Sequence, residues 1–366
     1  MAEPFKELVG EAAVRQLGAE VAAAWPAFPV GAFVSAALDG LGALELKDRV
    51  RHVARALRAA LPAPWREALR VLLAALPPAL EGTDGVSAGF RLWPVLQVVQ
   101  DFGLDDPDAS LPALREMTRR FSAEFAIRPL LIRHPERAWA EVERWVDGPD
   151  PHVRRLASEG TRPRLPWGER LRASVDDPRR GLAVLERLVD DPEAYVRRSV
   201  ANHLGDVAKD HPALAVEVAR RWWGTPTRRD VVRHGLRSLL KAGAPDALAV
   251  IGNAPVEVEV RELRVTPVVR VGERVEVQAT LVAVEAGAVR VDVVWSWPGA
   301  RGWSSRTFRG ADRELAAGEA WAFSYRWSTR PVSTRPTRPG EQRVTLRVLG
   351  RDHGPVSFWL EGAEGP

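Results

Sequence analysis

The chain of 366 residues contains no cysteine. Disulfide frameworks, thiolate metal ligation and thiol redox chemistry are therefore excluded, and the composition suits a reducing compartment. No apolar run approaches the ~18 residues that a membrane span needs, and the N-terminus lacks a charged-then-apolar leader. A cytoplasmic protein with no membrane partner is expected. Familiar catalytic signatures are missing as well: there is no glycine-rich phosphate loop, no H-E-x-x-H and no nucleophile elbow of the G-x-S-x-G type. The histidines are scattered, and His134, His152 and His211 each adjoin a proline in a turn, where a structural or exposed role is expected. Neither a metal nor a cofactor is expected.

Lysine is scarce too. Lys6, Lys47, Lys209 and Lys241 stand among 52 basic residues, and the rest are arginine. Such a bias is also what a GC-rich genome produces, and that is the bland reading for most positions. Even so, arginine is always charged and its planar fork grips phosphate at two points, so a formal net charge of +4 is compatible with a polyanionic partner.

The length calls for two or three domains, each with its own core. Residues 1–253 carry helical signals throughout: Ala- and Leu-rich segments with apolar residues three and four apart, cut by short Pro, Gly and Asp punctuation. Lys47 to Leu61, Trp65 to Leu76, Gly89 to Phe102 and Ser110 to Arg128 are examples. From residue 254 to 366 the period changes to two. V-E-V-E-V-R-E-L-R-V, V-R-V-D-V-V-W-S-W and W-A-F-S-Y-R-W alternate apolar and polar residues between Gly and Pro turns, the pattern of an immunoglobulin-like sandwich of about seven strands. The boundary falls at Ala254 and Pro255. Two basic stretches, Arg301 to Arg309 and Arg330 to Arg338, are read as loops.

Within the helical part, residues 137–155 align without gaps to residues 180–198, an offset of 43. Glu143-Arg144 matches Glu186-Arg187, Pro149 matches Pro192, and Val153-Arg154-Arg155 matches Val196-Arg197-Arg198. A helix, a turn built on D-x-P and a second helix at this period describe a HEAT-like repeat solenoid. A degenerate third copy is expected around Arg229 to Leu240. The alignment makes Arg155 equivalent to Arg198 and Glu159 to Asn202, on neighbouring second helices that line a concave surface. Arg198, Asn202 and Asp206 follow at i, i+4 and i+8, opposite the apolar stripe of Val196, Val200, Leu204 and Val207.

Carboxylates among arginines remain as candidates for chemistry. Glu159 has Arg155 four residues before it and Arg162 three after it, Asp206 has Lys209 within reach, and Glu124 has Arg120 and Arg128 at four residues on either side. Each alone reads as a surface ion pair worth ~0.5 kcal/mol or less. Convergence of Glu159 and Asp206 on one face favours a site. No lysine is expected beside the carboxylates, since Lys209 is read onto an adjacent part of the helix surface.

The stretch H-V-R-R-L-A-S-E-G-T-R-P-R-L-P-W, with F-S-A-E-F-A-I-R-P and S-V-A-N-H-L-G-D-V-A-K-D-H-P, resembles the AlkC family of bacterial DNA alkylation repair glycosylases, relatives of AlkD. The sandwich tail resembles the subgroup that carries an immunoglobulin-like domain. The resemblance implies that Glu159, Asp206 and Glu124 are the active-site carboxylates and that Arg155 and Trp167 sit beside the damaged nucleotide. It implies hydrolysis of the N-glycosidic bond of N3-alkylated bases such as 3-methyladenine and 3-methylcytosine. The expected partner is alkylated double-stranded DNA, and the protein is expected to be a monomer that is nucleoid-associated when on DNA.

The residues make sense of that chemistry. A base alkylated at N3 is already cationic and leaves without a general acid, whereas the sugar develops oxocarbenium character that carboxylates would stabilise while aiming a water. Trp167 would stack on sugar or base, Arg155 and Arg162 would hold phosphates, and Arg198 and Asn202 would extend the DNA-binding face. Without a lysine to form a Schiff base, a monofunctional enzyme is expected. The other reading is a non-catalytic HEAT-like module that binds nucleic acid or protein; it predicts that Glu159→Gln changes nothing.

Overall fold

The computed structural model describes residues 5–83, 86–253, 256–299, 302–331 and 339–362. Helices occupy residues 5–250 and strands residues 258–361. The described residues divide into two compact units between residues 210 and 211, so the helices from Pro212–Trp223 to Pro245–Val250 are grouped with the strands. Ala254 and Pro255 lie outside the described residues. Among those described, no helix is long and apolar enough to cross a membrane.

In the first unit the repeated segments are two helical hairpins: Pro135–Trp145 with Pro151–Glu159, and Arg179–Leu188 with Ala194–Asp210. The D-x-P turn has a mechanical origin. The Asp150 carboxylate accepts the N–H groups of His152 (2.9 Å) and Val153 (3.3 Å), while Pro151 takes the first helical position, where its missing N–H is not needed. The first arginine of each V-R-R folds back onto its own turn: Arg154 Nη1 donates to the carbonyls of Gly148 and Pro149 (3.0 and 2.9 Å), and Arg197 Nη1 to those of Asp191 and Pro192 (2.5 and 2.8 Å). Arg154 also forks onto Asp191 at 2.6 and 3.1 Å, tying one hairpin to the next. Behind these polar ties, Val153, Leu156 and Ala157 pack into the core, as do Val196, Val200, Leu204 and Val207.

Two helical expectations are corrected. Ser110 to Arg128 is not one helix: Pro107–Met117 ends, and Ile127–Arg133 begins after an irregular turn. Thr118 Oγ1 accepts the Ala123 N–H (3.3 Å), and Trp93 packs on Phe121 and Phe125 with ring centroids 6.1 and 5.1 Å apart, so side-chain packing overrides helix continuation here. The expected third repeat around Arg229 to Leu240 is instead two short helices, Arg229–Gly235 and Arg237–Ala242, in the second unit.

The strands are β1 Val258–Val265, β2 Val268–Arg270, β3 Arg274–Ala283, β4 Gly287–Gly299, β5 Gly302–Leu315, β6 Ala320–Ser328, β7 Gly340–Val348 and β8 Arg351–Glu361. One sheet has the order β1-β3-β6 and the other β2-β8-β7-β4-β5. Neighbours are antiparallel except β2 with β8. The period-two pattern faces Val275, Val277, Ala279 and Leu281 of β3 toward Val291, Val293 and Trp295 of β4, with Val344, Leu346 and Phe358 completing the core. Register slips between Val291 and Asp292 and leaves Gly310 in a bulge; a Cβ there would lie 2.8 Å from the Val291 carbonyl oxygen. The basic stretch up to Arg309 is not a loop from residue 302 onward but part of β5, where Arg306 lies over the Phe308 ring at 5.1 Å. Arg301 and residues 332–338 of the second basic stretch lie outside the described residues.

Candidate active site

The irregular turn after Met117 brings Ser122, Glu124 and Phe125 to a cavity of about 360 Å³. Its other walls come from Phe90 and Trp93, from Arg155 and Glu159 of the Pro151–Glu159 helix, from Arg162, Leu165, Pro166 and Trp167 just beyond it, and from Tyr195 of the next hairpin. Most of the lining is aromatic or apolar. The polar groups gather into one ion-paired chain.

Arg155 Nη1 donates to Glu124 Oε2 and to Ser122 Oγ, both at 2.8 Å, and its Nη2 lies 3.7 Å from Glu159 Oε1. Arg162 bridges two carboxylates, giving Nη1 to Glu159 Oε1 (2.6 Å) and Nε to Asp206 Oδ2 (2.8 Å). Ser199 Oγ donates to Glu159 Oε2 at 2.6 Å, and Lys209 Nζ to Asp206 Oδ1 at 3.0 Å. Three carboxylates thus meet three cations. Glu124 Oε2 also accepts from Ser122 Oγ at 2.8 Å, whereas its Oε1 takes no hydrogen bond among the described residues.

Glu159 and Asp206 are 4 % and 2 % exposed. Burial alone would push the Glu159 carboxyl upward, but the charges of Arg155 and Arg162, with the hydrogen bonds from Ser199 and Arg162, outweigh it and hold the group below its ordinary value. The site therefore keeps a desolvated negative charge against an apolar cavity. That is the arrangement that acts on a developing cation.

Trp167 stands at the lip. It is 60 % exposed and adopts φ +64°, a left-handed conformation costly for a bulky residue, and Lys47 Nζ donates to its carbonyl at 2.5 Å. The loop that bears it is fastened from beneath by Arg128, which is fully buried and donates to the carbonyls of Gly160 (2.9 Å) and Glu169 (2.5 Å). Burial, followed by the charge of Arg162, lowers the Arg128 pKa to about 10.

Residues 259–362 match the family described as the C-terminal immunoglobulin-like domain of the uncharacterised protein YhaZ. YhaZ of Bacillus subtilis is 32 % identical over 359 residues, spanning 97 % of this chain and 98 % of that protein. The structure of the Pseudomonas fluorescens alkylpurine DNA glycosylase AlkC, bound to DNA containing an abasic-site analogue, superposes with a TM-score of 0.89 at 34 % identity, covering 98 % of this chain and all of that one. The chain belongs to the AlkC family.

In this AlkC-family chain the three sequence motifs that carried the resemblance supply Glu124, Glu159 and Asp206, and Arg155 and Arg162 link them into one network. Asp206 does not line the cavity; it stands behind Arg162. Arg155 Nη1 and Arg162 Nη1 and Nε donate to carboxylates, so both arginines help to hold Glu124, Glu159 and Asp206. Arg198 is exposed and Asn202 half-buried, and neither lines the cavity. The pairing of Glu124 with Arg120 or Arg128 is corrected: the turn breaks the helical spacing, Arg120 pairs with Glu116, and Arg128 takes backbone carbonyls. Lys209 pairs with Asp206, as their spacing suggested, and does not line the cavity.

Sequence reasoning missed Ser199, Tyr195 and Arg128 in the AlkC-family site. Tyr195, Ser199 and Asp206 recur at i, i+4 and i+11, one face of a helix, which was a readable signal. Arg155 lies 4.9 Å from the Tyr195 ring, a cation–π contact inside the cavity wall.

Proposed function

We propose that the chain is a monofunctional DNA glycosylase that hydrolyses the N-glycosidic bond of bases made cationic by N3 alkylation, such as 3-methyladenine and 3-methylcytosine, in double-stranded DNA. The observation that carries the reading is Glu159: a buried carboxylate held ionised by two arginines at the floor of an aromatic cavity. The likeness to an alkylpurine DNA glycosylase bound to DNA supports both the partner and the reaction class.

Heterolysis of the C1′–N bond sends the bonding pair into the base, which becomes neutral as it departs. The positive charge moves to the sugar, where Glu159 and Glu124 stabilise it, and Asp206 adds its charge through the shared Arg162. Water then adds to C1′ and loses its proton to a carboxylate or to solvent. The uncommitted Oε1 of Glu124 suits it to orient that water. Trp167 and Tyr195 offer π faces to the cationic base or the sugar, while Arg198 and Asn202 extend the DNA-binding face beyond the cavity. The ion pair of Lys209 with Asp206, away from the lining, supports water rather than an amine as the nucleophile.

Incubating the protein with methylated duplex DNA and resolving the released bases by chromatography tests the proposal. Release of 3-methyladenine and 3-methylcytosine is expected, with strand scission only after alkali. No release above the spontaneous rate overturns the glycosylase reading, and a borohydride-trapped protein–DNA adduct overturns the monofunctional one.

A further inference from the structure

A second cavity, of about 340 Å³, shares Trp93, Phe125 and Trp167 with the first, so an aromatic wall is common to both. Its remaining chemistry differs. Lys47 and Arg51 bring two cations, Gln97 and Gln100 bring two amides, and Glu169 is the one carboxylate in the lining. None of these cations or amides belongs to the carboxylate network described above.

Gln97 is the informative side chain. It is 6 % exposed, and its Nε2 donates to Asp101 Oδ1 at 2.8 Å. Because a carboxylate accepts the hydrogen bond, the amide is oriented with Nε2 toward Asp101 and Oε1 away from it. That oxygen takes no hydrogen bond among the described residues. It is an acceptor open to the cavity that Gln97 lines, free to take a donor from a ligand. Arg51 makes an ion pair with exposed Asp48, at 3.2 Å, a surface contact that yields at little cost to a phosphate. Lys47 joins this cavity to the lip of the first through the Trp167 carbonyl.

We propose that this second cavity holds the nucleotide adjacent to the lesion on the same strand: its phosphate on Lys47 and Arg51, its base against the shared aromatic wall, and a base N–H on Gln97 Oε1. This rests on the DNA reading above and deepens it. Consecutive bases lie ~3.4 Å apart along a strand, so a wall of aromatic rings between two cavities suits the unstacked neighbours of a distorted step. A free base would satisfy the amide and the wall but would bring no anion to the two cations. A nucleotide satisfies all three.

The test is a coupling measurement on the full chain, read by fluorescence anisotropy with duplexes that carry an abasic-site analogue at the lesion position. The base on the 5′ side, on the 3′ side, or opposite the analogue is deleted in turn, and each duplex is titrated against wild type, Gln97→Leu and Gln100→Ala. Deleting one same-strand neighbour should weaken wild-type binding about tenfold, as loss of a hydrogen bond and a stacking contact implies, and weaken Gln97→Leu less than twofold. Equal penalties in wild type and both variants for both same-strand neighbours overturn the proposal, as does coupling confined to the opposite base. If Gln97→Leu does not melt cooperatively, the less buried Gln100→Ala decides by the same criterion. Because binding is read without catalysis, a chain that shows the coupling yet releases no base sinks the glycosylase reading and leaves the subsite standing.

Discussion

Replacing Glu159 by Gln preserves shape and removes one charge from a cluster in which Glu124, Glu159 and Asp206 are matched by Arg155, Arg162 and Lys209. At ~4–5 Å and an effective dielectric of ~20, a carboxylate stabilises a full positive charge on the sugar by about 3–4 kcal/mol. That corresponds to a loss of about 150- to 900-fold in kcat. Stability should fall far less than the ~3–5 kcal/mol typical of a stripped buried ion pair, because Arg162 keeps Asp206 at 2.8 Å and Arg155 keeps Glu124 at 2.8 Å. DNA affinity should hold or rise, since the variant site is one unit more positive. The assay is single-turnover release of radiolabelled 3-methyladenine with enzyme in excess, alongside urea melts and DNA titrations of both proteins. A folded, DNA-binding variant within threefold of wild type would refute the assignment of Glu159. An activity loss matched by an equal loss of DNA affinity would instead make its role structural.

Three further outcomes are expected. The His203 ring is fully buried, and burial pushes its pKa down to about 4 from an ordinary 6.5. With the folded value below the unfolded one, this contribution is complete above pH ~6.5 and is lost as pH falls toward 4, by up to about 3 kcal/mol; urea midpoints from pH 7 to 4.5 measure it, and His203→Gln should flatten the slope. Gly181→Ala places a Cβ 2.9 Å from His203 Nε2, so the clash, ~1–3 kcal/mol, should outweigh the ~1 kcal/mol gain in helix propensity and lower the melting temperature; an unchanged or raised value would contradict the packing. Trp167→Gly relieves the left-handed backbone, worth ~1 kcal/mol, at a residue that is mostly exposed. Thermal stability should be kept or raised while kcat/KM for methylated DNA falls at least tenfold, and unimpaired turnover would remove Trp167 from the site.

Much of this fold is legible because period and punctuation are local. The change from a 3.6-residue to a two-residue repeat marks where the helices end, and D-x-P with V-R-R marks a hairpin because Asp150 and Arg154 act within a few residues of themselves. The pairing of Glu159 with Arg162 follows from spacing in the same way. The bridges from Glu124 to Arg155 and from Arg162 to Asp206 span 31 and 44 residues, beyond any local rule; the repeat alignment set the Glu159 helix beside Asp206, and the family resemblance added Glu124. Extending the repeat alignment favoured Arg198 and Asn202, equivalents of Arg155 and Glu159, yet Ser199 and Tyr195 make the contacts. The break at Thr118 was missed because it is held by aromatic packing from Trp93, outside the segment itself.

The balance of the carboxylate cluster also bears on approach. Bare carboxylates carried toward a polyphosphate would be repelled over a Debye length, ~8–10 Å in ordinary salt. Here each one has a cation within 3 Å, so to a distant phosphate the cluster is a multipole whose field dies away faster than that of a charge. At contact the cancellation ends: under the proposed function a sugar carbon in the cavity would meet Glu124 Oε1, which takes no hydrogen bond among the described residues, at close range. Repulsion is absent during approach, and attraction exists only over the last few ångströms.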